Sequence, residues 1–318
     1  MNCPVCLSAK TSPAGLTGSD VLFETTSKTF TLSGCSACRC LFIDPLPGDV
    51  ELAGFYPTQY WWKASSGVLK TLEGAYRKMA LRDHVAFIAT AANGGSAPDL
   101  LDVGCGSGTL LGLLKQRGFQ VRGFDSSAEA AGIAKSESDV DVVVGSRLPE
   151  AGFADGSFDL VTLFHVMEHV TDPRSVLAEV RRLLRPAGRL VLQVPNIESW
   201  QFRLFGVRWY GLDVPRHVIN YSNQAMQRLL AESGFKVRRT RHFNFRDNAP
   251  AFASSLFPSL DPVSRSVRQR RRDQAEPAPL AWLRHALYLG VVLAAQPFAI
   301  AESAAGRGAT IMIEAEKA

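Results

Sequence analysis

The sequence lacks several features that would settle its class at once. It has no internal repeat, which sets solenoids and propellers aside. Its first residues, Met1-Asn2-Cys3-Pro4, offer neither a basic start nor an apolar run, so no secretory signal is read there. The expectation is a cytoplasmic, reducing setting, where disulfides are rare. Charge is sparse at 20% against 46% hydrophobic residues, and such a chain buries a core rather than staying disordered. The net charge of +5 is modest and unevenly spread, since five of the eight residues 265–272 are arginine. Basic and aromatic residues do not interleave in one stripe, which counts against a nucleic-acid surface. The length of 318 residues suits one large domain plus a smaller module.

Cysteine is also scarce, yet five of the six lie within the first forty residues. Cys3-x-x-Cys6 is followed, after 28 residues, by Cys35-x-x-Cys38. Two such knuckles have the spacing of a tetrahedral zinc site. The segment 21–32 is predicted to form the hairpin that joins them. Four thiolates leave no open coordination position, so the metal is expected to hold the fold rather than do chemistry. Cys40 is either a competing ligand or a small buried side chain. Two unrelated thiol pairs are the alternative reading.

An aromatic stretch at 55–62 comes next, then a helical pattern through Leu69, Leu72, Tyr76, Met79, Ala80, Asp83 and Phe87. From residue 99 strands and helices alternate. Strands are predicted at 100–103, 120–124, 140–144, 158–164, 189–194, 236–245 and 309–315. Helices are predicted at 107–117, 128–135, 172–185 and 222–233. This alternation specifies an α/β fold, doubly wound, with a mostly parallel sheet covered on both faces. A long excursion occupies 246–307.

Asp102-Val103-Gly104-Cys105-Gly106-Ser107-Gly108 falls between a predicted strand and a predicted helix. Glycine there lets the backbone turn sharply and approach a ligand closely. Asp125 ends the next strand, 21 residues past Gly104, where a carboxylate can accept both hydroxyls of a ribose. The pattern departs from the dinucleotide fingerprint, which needs glycine where Thr109 stands. That disfavours a nicotinamide oxidoreductase. An acid at 102 suits a zwitterionic amino-acid tail better than a pyrophosphate.

The segment 101–108 resembles the first motif of class I S-adenosylmethionine-dependent methyltransferases. Ser157-Phe158-Asp159-Leu160-Val161 resembles their fourth-strand motif. Phe164-His165-Val166-Met167-Glu168-His169-Val170 and Leu184-Arg185-Pro186-Ala187-Gly188-Arg189-Leu190 are similar to the ubiquinone and menaquinone biosynthesis subgroup. The cysteine knuckles with Tyr56-Pro57 and Tyr60 resemble bacterial members tied to saccharide or cell-envelope modification. The resemblance implies a seven-stranded Rossmann-like sheet and S-adenosylmethionine as cofactor. It implies that Gly104, Gly106 and Gly108 line the methionine portion, with Asp102 near the ammonium. Asp125 and Ser126 then serve the ribose, Ser146 and Arg147 the adenine, and Phe164 and His165 the sulfonium, with Tyr60 closing over it. Many relatives carry an acid at 146, where this chain has serine.

The division expected is a zinc-binding module at 1–48, a connector and cofactor lid at 49–98, a methyltransferase domain at 99–245 plus 308–318, and a helical insertion at 246–307. An acceptor hydroxyl must lose a proton, and histidine suits that task. His165, His169 and His217 are the candidates, with Glu168 beside them; a structural histidine is the plain alternative for each. Trp200, Phe202, Phe205, Trp209 and Tyr210 either form an acceptor lid or pack an inserted helix. Residues 286–301 carry no charge. As helix they would reach about 24 Å, short of the roughly 30 Å hydrocarbon core. They either pack on the sheet or in a dimer, or dip into a membrane surface with the arginines of 265–272 on its headgroups. The acceptor classes left open are a small molecule, a saccharide or a quinone-like compound. RNA methylation and cofactor binding without turnover are the alternatives.

Overall fold

The computed structural model describes residues 1–56, 74, 78–92, 97–271 and 276–318. Tyr60, most of the aromatic stretch and the first half of the 69–87 pattern lie outside the described residues. The chain opens with antiparallel strands. β1 (Thr11–Ser19) pairs with β2 (Thr29–Cys35), and β2 with β3 (Leu41–Ile43). The hairpin therefore begins well before the expected 21–32. Pro13 and Gly15 disguise β1, and its register slips between Pro13 and Leu16 to accommodate them. Among the described residues two helices follow, α1 (Asp49–Gly54) and α2 (Arg82–Ala91).

The alternating region then runs β4 (Asp99–Val103), α3 (Thr109–Lys115), β5 (Gln120–Asp125), α4 (Ala128–Ser138), β6 (Val142–Val144), β7 (Phe158–Phe164), α5 (Pro173–Leu183) and β8 (Leu184–Pro195). After it come α6 (Trp200–Phe205), β9 (Ile219–Asn220), α7 (Asn223–Glu232) and β10 (Phe235–Arg241). The excursion is α8 (Asn248–Leu256), α9 (Pro262–Arg271) and α10 (Ala278–Ala304), and β11 (Thr310–Lys317) closes the chain. Seven strands form one sheet in the order β10-β11-β8-β7-β4-β5-β6, with β11 alone reversed. Its central strands are buried on both faces, so Leu160 to Leu163 of β7 read as an apolar run rather than an alternation. Ser127, Asp172, Ser199 and Ser222 cap their helices by accepting a backbone N–H, each stabilising by about 1 kcal/mol.

Two boundaries differ from expectation. The helix expected to reach 185 stops at Leu183, and β8 starts at once, so Gly188 lies within a bulged strand instead of ending a helix. Pairing with β7 draws Leu184 into the sheet opposite Phe158. The uncharged run is part of a 27-residue helix, α10. At the usual rise that is about 40 Å, longer than a hydrocarbon core.

The N-terminal strands do not stand apart from the rest. β3 pairs with β9, so their sheet takes its fourth strand from beyond β8. One apolar core runs from Leu32 and Phe42 to Val161, Leu192 and Ile311. A buried charge also bridges the two parts. Arg216 is fully buried, with Nη2 2.8 Å from Asp20 Oδ1 and Nε 3.0 Å from Asp213 Oδ2. Its guanidinium lies 4.4 Å over the Phe23 ring. Burial works to raise the Asp20 carboxyl, but Arg216 outweighs it and holds Asp20 well below the usual range.

Candidate active site

The sheet order reverses at β4: β5 and β6 extend to one side, β7 and β8 to the other. Open α/β sheets bind ligands at such a point, beyond the carboxyl ends of the strands. The glycine bend leaves β4 there. Gly104, Gly106 and Gly108 all have positive φ, at 72°, 53° and 67°. A Cβ on Gly104 would stand 2.6 Å from Val166 Cγ2, and one on Gly108 2.7 Å from the Cβ of Ala134. Only glycine meets both demands.

Asp125 ties the bend down from one strand over. Its Oδ2 accepts from the Gly106 amide at 2.8 Å and its Oδ1 from the Ser127 amide at 2.9 Å. Burial raises its pKa against these donors. Asp102 is 4% exposed and accepts from the Thr162 hydroxyl at 2.6 Å. Burial pushes it up to about 7, the Thr162 bond opposes this, and the Asp125 charge adds to it. Neither carboxylate forms an ion pair among the described residues. Two buried acids beside a tight glycine bend fit a ligand that brings its own cation and hydroxyls. Ser126 follows Asp125 as an exposed residue; Ser146 and Arg147 are exposed beyond β6, and Ser146 donates to Glu150 at 3.3 Å. Phe164 is packed edge-on against His84, ring centroids 4.9 Å apart.

The other half of the crevice gathers the histidines. His165 takes φ 57° at the end of β7, and Met167–His169 form a single 3-10 turn. His165 Nδ1 donates to Glu168 Oε1 at 3.1 Å, and its Nε2 faces Asp247 Oδ2 at 3.4 Å. Burial would lower the His165 pKa, but Asp247 and then Glu168 outweigh it and lift it to about 9. Its Nε2 also lies 2.8 Å from the Gln193 side-chain nitrogen. Glu168 is fully buried, yet the bond from His165 holds it down at about 2. Among the described residues its Oε2 has no hydrogen-bond partner.

His169 Nδ1 lies 2.8 Å from the Tyr56 hydroxyl and donates to the Arg216 carbonyl at 3.1 Å. His217 Nδ1 donates to the Gly211 carbonyl at 2.9 Å. A carbonyl can only accept, so each ring carries a proton on Nδ1. The two rings meet edge to face at 4.7 Å. Burial, and next the His217 charge, lower His169 to about 4. Glu168, His169 and His217 each present a ligand atom within 4.8 Å of the others. Trp209 is buried, with Nε1 donating to Gln201, and Phe202 packs against it. Those aromatics are packing around α6. Sequence reasoning missed Asp247, Asp20 and Arg216, because each acts across more than fifty residues of chain.

The cysteine knuckles converge as their spacing requires. Cys3, Cys6, Cys35 and Cys38 are buried with ligand atoms within 4.8 Å of one another. Cys40 belongs to the same cluster, its Sγ 3.4 Å from Cys3 and 3.5 Å from Cys38. The donor set suits a soft divalent metal.

A seven-stranded sheet with one reversed strand, carrying this bend and an acid one strand over, defines a class I S-adenosylmethionine-dependent methyltransferase. The family model described as a methyltransferase domain matches residues 74–240, and the chain belongs to that family. It is 32% identical over 173 residues to the ubiquinone biosynthesis O-methyltransferase of Cronobacter sakazakii, spanning 52% of this chain and 69% of that enzyme. The enzyme of the same name in Escherichia coli O157:H7 is 31% identical, over 52% and 70% of the two chains. Among solved structures, an S-adenosylmethionine-dependent methyltransferase of Methanosarcina mazei aligns at TM-score 0.40 with 22% identity, over 46% of this chain and 84% of that one. A possible histamine N-methyltransferase of Thermotoga maritima aligns at 0.44 with 19% identity, over 77% and 95%.

Proposed function

We propose that the enzyme methylates a hydroxyl of a quinone-like acceptor, with His169 as general base. The observation that carries this reading is the meeting of two imidazoles, each bonded through Nδ1 to a backbone carbonyl, and one ionised, buried carboxylate beside the glycine bend. The similarity to ubiquinone biosynthesis O-methyltransferases supports the acceptor class. When bound, S-adenosylmethionine supplies an activated methyl group. Gly104, Gly106 and Gly108 hold its methionine portion, Asp102 faces its ammonium, and Asp125 with Ser126 holds its ribose. Ser146 and Arg147 border the adenine.

The chain's own residues then align the acceptor and receive its proton. His169 Nε2 takes the proton, and Glu168 stabilises the resulting charge. His217, with Nε2 3.9 Å from Glu168 and 4.0 Å from Asp213, orients the pair. His165 serves as a positioning residue, pinned between Glu168 and Asp247. Segment 49–98 acts as the lid and 246–307 as a helical insertion. The four cysteines bind a structural zinc through Cys3, Cys6, Cys35 and Cys38.

The test is His169→Ala and His217→Ala, each measured for turnover at saturating acceptor. Loss of the base should lower kcat by about 100- to 10,000-fold in His169→Ala, with cofactor affinity unchanged. Full rate in both variants rejects a histidine base. The same clustering favours one second reading, a divalent cation on Glu168, His169 and His217 that would ionise the hydroxyl instead. Turnover that depends on added Mg2+ at constant zinc content selects it.

A further inference from the structure

α10 packs on the protein along one stripe only. Val292, Ala295 and Ala299 meet Ala249 and Ala253 of α8. The Tyr288 hydroxyl lies 3.0 Å from Ser254 Oγ, and Glu302 accepts from Gln201 at 2.6 Å. The rest of the helix faces outward. Trp282, Leu283, Leu287, Leu289, Leu293 and Ile300 are each 50% to 61% exposed. α6 extends this surface: Leu204 is 60% exposed and shares a groove of about 340 Å³ with Trp200, Arg203 and Phe298. An apolar face of this kind on a folded protein marks an interaction site.

The geometry excludes crossing a bilayer. α10 rests against α8 over its second half, and five residues beyond its end the chain enters β11, inside the central sheet. A spanning helix would have to drag the sheet with it. The helix can only lie flat. The charges around it carry a positive excess: Arg265 and Arg284 share Glu276, Arg268 meets Glu24 and Arg307 meets Glu198, while Arg203 is exposed and forms no ion pair among the described residues. The helix's single carboxylate, Glu302, is buried. Arg265 and Arg268 of α9 sit at its N-terminal end, where Arg265 reaches His285 at 3.1 Å. Arg203 flanks its C-terminal half, and Arg307 follows it. Two copies paired through this face would bring two net positive rims together. A surface of anionic headgroups would neutralise them.

We propose that the outward face of α10, with Leu204, seats the enzyme flat on an anionic lipid bilayer, its leucines at the acyl boundary and Arg203 and Arg307 at the phosphates. This contact is independent of which hydroxyl is methylated. It is tested by flotation of the full chain with phosphatidylglycerol-containing vesicles, phosphatidylcholine vesicles serving as control. The protein should float with the anionic vesicles, and added salt should weaken the association. Leu287→Glu with Leu293→Glu should cut the floated fraction about tenfold while S-adenosylmethionine affinity stays the same. Should the double variant lose cofactor binding, Leu287→Gln repeats the measurement with a gentler change and a smaller expected loss. The proposal is overturned if the intact chain stays at the bottom of the gradient, or if a folded variant floats as well as the parent. It is equally overturned if light scattering finds a dimer that the double variant splits and that never floats, since the face is then a contact between copies.

Discussion

The two halves of the crevice are built in different ways. The half proposed for the cofactor comes from one continuous stretch, β4 through β5, and its parts lie close in sequence: three positive φ angles and two acids at strand ends. The acceptor half draws on Tyr56, the turn after β7, the segment before β9, and Asp247 at the start of the excursion. Its parts are side chains held by other side chains. The contrast teaches that the first half depends on local geometry, and the second on the N-terminal strands and the insertion staying docked.

The largest way to break the comparison is through the cysteines. Structural zinc contributes on the order of 10 kcal/mol in small modules. Cys35→Ser should therefore abolish bound zinc and turnover, while weakening cofactor binding far less. Metal analysis beside calorimetry reads both. Absence of zinc from the intact protein ends the zinc reading, and equal loss of both functions means the halves do not separate.

Asp20→Ala comes next. It removes one of the two carboxylates on the buried Arg216 guanidinium, and because Asp213 stays, the cost should fall below the about 3–5 kcal/mol of a fully stranded charge. The thermal midpoint should fall, and kcat with it, because Arg216 precedes His217 and its carbonyl holds His169. Unchanged stability would show that the bridge is not holding the N-terminal strands.

Gly104→Ala probes the other half. The left-handed φ costs an alanine about 1–2 kcal/mol, and the Cβ must displace Val166. Cofactor affinity should weaken about tenfold with kcat at saturation nearly intact. A fall in kcat at unchanged affinity would contradict this placement of the cofactor.

The smallest effect is one of pH. Without ligand Asp102 is protonated below about pH 7, and only its carboxylate form attracts an ammonium. Affinity for S-adenosylmethionine, titrated from pH 8 down to pH 6, should therefore fall below pH 7 by at most about tenfold per unit. Asp102→Asn should flatten the curve. A parent curve already flat removes Asp102 from the ammonium.

How much was legible follows the same division. Glycine bend, strand-end acids and CxxC pairs are short-range patterns, and each appears where spacing put it. β1 was hidden by Pro13 and Gly15, and the early end of α5 by a pairing partner 26 residues upstream of Leu184. The histidine motif was readable as residue types but not as states. Nothing in the letters separates His165, whose pKa Asp247 raises, from His169, whose pKa burial lowers.

The sequence by itself determined the doubly wound sheet, the switch-point bend and the thiol cluster, because period, glycine φ and knuckle spacing act over a few residues. Only the tertiary structure decided which imidazole has its pKa raised, that Arg216 and β9 bind the N-terminal strands to the core, and that α10 leaves most of its surface outward. Burial and charge are properties of what the chain brings together from afar, and no local pattern encodes them.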